Sequence, residues 1–128
     1  MNQKYFFKFC IAIAVSTTAF MGTTLSNAAS FDCAKSQTYT EKAICNDSTL
    51  NEYDEIVGKR FNIIKNQLDA QSKATFIQMQ KEWIISRNQC ASVDCIANSY
   101  KNILEKYCPI ENSLNISCVN FKTQQTAS

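Results

Sequence analysis

The clearest feature of the chain is an alternation of apolar and polar positions at helical spacing. Leu50, Tyr53, Val57, Phe61, Ile64 and Leu68 follow one another every three or four residues, which predicts one apolar stripe on a long helix from Ser48 to about Leu68. Asn46 to Thr49 offers several capping oxygens ahead of it, and Glu52, Asp54 and Glu55 sit in its first turns, where a helix dipole favours negative charge. After a polar break at Asp69 to Ser72, Phe76, Met79, Gln80, Trp83, Arg87 and Cys90 recur at the same period and predict a second long helix. A break this short makes the two helices antiparallel neighbours. Ile96, Tyr100, Ile103, Leu104 and Tyr107 mark a third, shorter stripe that is expected to end at Pro109. Upstream, Thr38-Tyr39-Thr40-Glu41 has the hydroxyl-to-carboxylate spacing of a capping box and predicts a short helix from about Tyr39 to Cys45. From Asn115 to Phe121 the alternation changes to that of a short strand or extended segment. The expected fold is all-α: a small, disulfide-stapled helical bundle of two long antiparallel helices plus shorter ones, with an extended C-terminal tail.

The start of the chain has a different layout. Lys4 and Lys8 form a basic region, an apolar stretch runs from Phe9 to about Met21, and small or polar residues continue to Ala29. This is the layout of a cleavable secretory signal, because the apolar stretch is far shorter than the ~20 residues of a membrane span. Ser26 and Ala28 put small residues at the two positions a signal peptidase reads, so cleavage is expected after Ala28, with Ala29 as the runner-up. The expected organisation is therefore a signal over 1–28, a helical domain over 29–107 and a disulfide-closed tail over 108–128.

Export changes the chemistry that the composition allows. The chain has 13 Lys and Arg against 11 Asp and Glu, and losing Lys4 and Lys8 brings the two into balance. A neutral domain without a basic run has no electrostatic footprint for nucleic acid, and no basic amphipathic helix for an anionic membrane surface. Processing also removes Cys10 and leaves Cys33, Cys45, Cys90, Cys95, Cys108 and Cys118, an even set that points to disulfides in an oxidising, periplasmic or secreted setting. The helical hairpin should gather the first four at one pole of the bundle. Local loops, Cys33 with Cys45 and Cys90 with Cys95, are the favoured pairing, with crossing between helices left open. Cys108 and Cys118 most simply close the tail on itself. Zinc is disfavoured, since the chain has no His and no CxxC pair, and no cofactor is expected.

The absence of His also removes Ser-His-Asp and Cys-His catalysis, and paired cysteines offer no thiol nucleophile. Asp47, Glu52, Asp54 and Glu55 could in principle supply a carboxylate pair for a glycosidase, but a domain of about 100 residues with three helical stripes rarely offers the cleft that this chemistry needs. A solvated helix start is the plainer reading, with Asp47, Glu52 and Glu55 as the patch open to a cationic partner. Gln80, Trp83 and Arg87 occupy successive turns of one helix face, and Asp54 on the facing helix is placed to meet Arg87. That group reads either as an ion pair with an indole packed over the seam, or as exposed Trp and Arg anchors of an interface.

Taken together, Phe31-Asp-Cys33, Thr38-x-x-Glu41-Lys-Ala-Ile-Cys45, Asp47-x-x-Leu50, Tyr53-Asp54, Gln80-x-x-Trp83 with Arg87 and Cys90, then Cys95 and Tyr100 resemble the LprI-type lysozyme inhibitors. These are small secreted or lipid-anchored bacterial proteins, and the resemblance covers about 31–104. It implies a helical fold in which Glu41, Asp54, Gln80, Trp83, Arg87 and Tyr100 serve structure. It also implies a non-catalytic role whose partner is a lysozyme or similar muramidase. The chain departs from the pattern in having no lipobox, which argues for a form without a membrane anchor after signal cleavage, and in adding the Cys108 to Cys118 tail. A structural or stress-related envelope protein without lysozyme contact is the alternative.

Overall fold

The computed structural model describes residues 29–118. After an arm that includes a short 3₁₀ turn at Cys33–Lys35, the helices are α1 (Tyr39–Asn46), α2 (Ser48–Gln67), α3 (Ala70–Arg87) and α4 (Val93–Ser113). The signal expected over 1–28 lies outside the described residues, as does the part of the tail beyond Cys118. No helix among the described residues is long and apolar enough to cross a membrane.

Each helix begins where a short polar side chain satisfies amide groups that have no intrahelical acceptor. Thr38 and Glu41 form the complete capping box of α1, and Asp47 accepts from the amides of Thr49 and Leu50 at the head of α2. Asp69 does the same for Gln71 and Ser72 of α3, and Ser92 accepts from the Cys95 amide of α4. The α2–α3 connection is only Leu68 and Asp69, shorter than the polar break suggested, because Asp69 is itself the cap.

The core is one cluster in which Ile44, Leu50, Ile64, Ile96, Tyr100 and Tyr107 are completely buried. It lies mainly between α2 and α4, with α1 laid against α2 and α3 against α4; the direct contact of α2 with α3 is slimmer. Aromatic rings bind the layers together: Phe61 of α2 stacks on Phe76 of α3 with centroids 5.2 Å apart, and Phe76 tilts against Tyr107 of α4 at 5.3 Å.

One element departs from expectation. The third helix does not stop at Pro109: α4 continues to Ser113 and is the longest of the described helices. Proline costs the helix one amide donor. Burial of Tyr107 and Glu111, with Ile110 packed on the core, holds the extra turn in place despite that loss. The carboxylate of Glu111 is gripped by Arg60 of α2, whose Nε donates to Oε1 at 2.6 Å while Nη2 donates to Oε2. The true stop is Asn115 at φ 57°, with the Ile116 amide donating to the Glu111 carbonyl at 2.8 Å and the Asn115 amide to the Asn112 carbonyl at 3.2 Å. That is a Schellman ending, with asparagine in the left-handed position. Residues 116–118 that follow carry no strand.

Candidate functional site

Four of the residues that carried the resemblance, Asp54, Trp83, Arg87 and Tyr100, converge on the seam of α2, α3 and α4. Asp54 follows Tyr53 on the buried side of α2 and is 2 % exposed. Its Oδ1 accepts from the Tyr100 hydroxyl at 2.6 Å and from Arg87 Nη1 at 3.2 Å. Its Oδ2 accepts from both the amide and the hydroxyl of Ser30, each at 2.6 Å. Arg87 Nη1 also donates to the Tyr100 oxygen at 2.9 Å, so that the phenol receives one bond and gives another. The remaining guanidinium nitrogens donate to Asn88 Oδ1 at 3.3 and 3.1 Å. A buried charge pair is tolerable only when its spare lone pairs and protons are also satisfied, and these are.

Trp83 closes the network. The Arg87 guanidinium carbon lies 5.1 Å from the indole centroid, and the ring meets Tyr100 edge-on at 5.3 Å. The indole nitrogen donates to the Ser99 hydroxyl at 2.9 Å and to the Ser99 carbonyl at 3.0 Å. One helical turn away, Gln80 Oε1 accepts from the Tyr107 hydroxyl at 2.5 Å. Arg87 is therefore buried and committed, and of the two readings of this face the structure contains the ion pair with the indole over the seam.

Burial raises the Tyr100 phenol far above its ordinary range, with the Arg87 charge opposing the shift and Asp54 adding to it. Tyr107 is raised by the same desolvation. Glu41 stands apart on α1: its Oε2 accepts from the amides of Thr38 at 3.0 Å and Gln37 at 2.8 Å. Those bonds, that of Thr38 first, hold its carboxyl below the usual value.

The cysteines pair locally. Cys33 joins Cys45, Cys90 joins Cys95 and Cys108 joins Cys118, with Cα separations of 5.8, 5.5 and 5.1 Å. The first bridge ties the arm to the end of α1, and the second spans the α3–α4 connection. The third differs from a tail closed on itself, since Cys108 lies within α4 and the bridge fastens the segment after the helix back onto it. Cys108, Cys118 and Glu111 also form a tight group of metal-ligand types, but the two sulfurs are bonded to each other and Glu111 is held by Arg60.

The acidic trio does not form one patch of equivalent groups. Asp47 is half-buried and occupied as a cap, Glu55 is paired with Lys59 at 2.5 Å, and Glu52 is exposed one turn before Glu55. Elsewhere an open groove of about 700 Å³ runs between α3 and α4, bordered by Met79, Glu82, Trp83, Asn98 and Asn102.

Sequence reasoning did not find Ser30, Ser99 or the Arg60–Glu111 pair. Arg60 and Glu111 are separated by 51 residues, and Glu111 lies beyond the proline at which the helix was expected to end. Ser30 falls in an arm with no periodicity, and nothing local marks it.

With this geometry in view, comparison with protein families gives a match to the model described as lysozyme inhibitor LprI, over residues 33–128. The chain belongs to the LprI lysozyme inhibitor family. The match extends past the residues that carried the resemblance and takes in the Cys108–Cys118 segment. Comparison with curated proteins gives no match, and comparison with solved structures gives none. In this member of the LprI family, Asp54, Arg87, Trp83 and Tyr100 form a packed network that locks three helices in register.

Proposed function

We propose that this chain is exported, is cleaved after Ala28, and acts in the periplasm or outside the cell as a non-catalytic protein that binds and inhibits a lysozyme-type muramidase, so protecting the bacterial wall. The observation that carries the reading is the LprI family match over residues 33–128. The architecture supports it physically. An inhibitor that arrives already ordered loses less conformational entropy on binding, and here the arm, the α3–α4 connection and the end of α4 are each fastened by a disulfide. Asp54 accepts four hydrogen bonds and Glu111 is held by Arg60, so the two buried carboxylates are spent on holding helices together. For a basic muramidase, the outer face of α2 with Glu52 and Glu55 is the acidic surface we assign to first contact, with Asp47 contributing through the cap beneath it.

The test is direct binding. Mixing the purified, oxidised protein with lysozyme should give a complex of fixed stoichiometry by calorimetry and by size-exclusion chromatography. Absence of any complex at micromolar concentrations of both proteins would contradict the reading. Clearance of a wall suspension by the protein alone would point instead to a carboxylate-dependent glycosidase.

A further inference from the structure

Helix α3 spends little of its apolar surface on the core. Only Phe76 and Arg87 are buried along it, while Ile84 and Ile85 near its end are 37 % and 62 % exposed. Val93, the first residue of α4, is 40 % exposed. Of the five large apolar side chains that are exposed among the described residues, three therefore fall within 84–93, on either side of the α3–α4 connection. Scattered apolar side chains are ordinary on a protein surface, whereas a local group of them marks an interaction site.

The connection that carries them is held firmly. The Cys90–Cys95 bridge closes it, the Gln89 and Cys90 amides donate to the Ser86 and Arg87 carbonyls at 3.1 and 3.0 Å, and the Ser92 hydroxyl caps α4. Trp83, through its indole bond to Ser99, fastens the two helices to each other. From 82 to 100 the formal charges are Glu82, Arg87 and Asp94, with Lys81 a turn further from the connection. Arg87 is buried against Asp54, so the two charges left at the surface are both negative. Since Asp54 meets the last residue of α3, the first turns of α2 lie at this same end and bring Glu52 and Glu55 to it.

We propose, resting on the inhibitor reading above, that Ile85 and Val93 on this disulfide-closed end of the bundle are the apolar anchors of a docking surface for a basic muramidase, with Glu82 and Asp94 as its charged rim. Charge complementarity selects the partner: carboxylates around an exposed isoleucine and valine suit a cationic protein and repel a nucleic acid or an anionic membrane. Rigidity selects the anchors, because side chains carried on a bridged connection lose little freedom when they are covered. Glu52 and Glu55 then steer the encounter from the same end, and Ile85 and Val93 hold the complex once it has formed.

The experiment measures lysozyme binding by calorimetry for the oxidised parent protein, for Ile85→Lys, for Val93→Ser and for Ile63→Lys. Ile63 is 49 % exposed toward the other end of α2, so its variant adds the same charge away from the patch. All three variants should melt within about 3 °C of the parent. Ile85→Lys and Val93→Ser should each raise Kd at least about tenfold, and Ile63→Lys should leave it within about twofold. Hydrogen exchange on the unsubstituted complex reads the same surface independently, with slowed exchange expected over 84–95. A parent that binds while both patch variants bind equally well, an Ile63→Lys variant weakened as much as Ile85→Lys, or protection confined to other segments would overturn the docking surface and leave the inhibitor reading standing. A parent that binds no lysozyme would overturn both. A dimer of the parent alone that Ile85→Lys dissolves would assign the patch to a second copy of the chain and overturn the proposal as well.

Discussion

Arg87 and Asp54 stand on different helices, 33 residues apart in the chain, and meet as a buried ion pair with Nη1 3.2 Å from Oδ1. Around them Tyr100, Ser30, Asn88 and Trp83 use the remaining donors, acceptors and ring faces. The pair therefore acts as the register pin of the bundle, and its worth lies in what is left behind when one member is removed.

Removing one charge strands the other in the interior. Arg87→Ala or Asp54→Ala should each cost about 3–5 kcal/mol, enough to leave a domain of this size marginal or unfolded. Tyr100→Phe keeps the ring and removes the donor to Asp54 together with one acceptor of Arg87, and should cost about 1–2 kcal/mol. Chemical denaturation of the three variants should give that order; a Tyr100→Phe variant less stable than Arg87→Ala would contradict it.

Stability should fall at both ends of the pH scale for different reasons. Glu41 is held below its ordinary value by the capping amides, so its contribution is present above that value and disappears as pH falls through the lower folded one. Thr38→Ala should remove about 1 kcal/mol at neutral pH and, with it, part of the acid sensitivity. Tyr100 and Tyr107 are raised by burial above their ordinary 10.0, so the unfolded chain loses those protons first and stability declines as pH climbs past that point. Melting curves of Tyr107→Phe across the alkaline range should show a shallower decline than the parent protein, and an unchanged slope would count against this assignment.

The outer face of α2 separates steering from structure. Glu52→Gln together with Glu55→Gln should leave Tm within about 2 °C, because exposed helix charges contribute little to folding. The same pair should slow association with a basic muramidase several-fold at low salt, with the difference shrinking as salt is added. Stopped-flow binding would decide it: unchanged association at low ionic strength would place the contact on another face.

How far the sequence could be read follows from the range of each interaction. The capping box at Thr38 and Glu41, the α2 stripe from Leu50 to Leu68 and the local cysteine pairs are short-range patterns, and all are present. The Asp54–Arg87 contact could be anticipated because a short connection brings the two stripes face to face. The end of α4 could not, since its passage through Pro109 depends on Arg60, which reaches Glu111 from 51 residues away. Only Asn115, suited to the left-handed position, carried a local sign of the true end. Ser30 was equally hidden, because its value comes from a carboxylate 24 residues later in the chain.

The most direct test of the central claim is the rate at which lysozyme clears a bacterial wall suspension in the presence of this protein. The oxidised protein should slow clearance in a dose-dependent manner that levels off near equimolar ratio, and the effect should be lost when the three disulfides are reduced. Clearance that proceeds at the uninhibited rate in a large molar excess of the folded, oxidised protein would contradict the account.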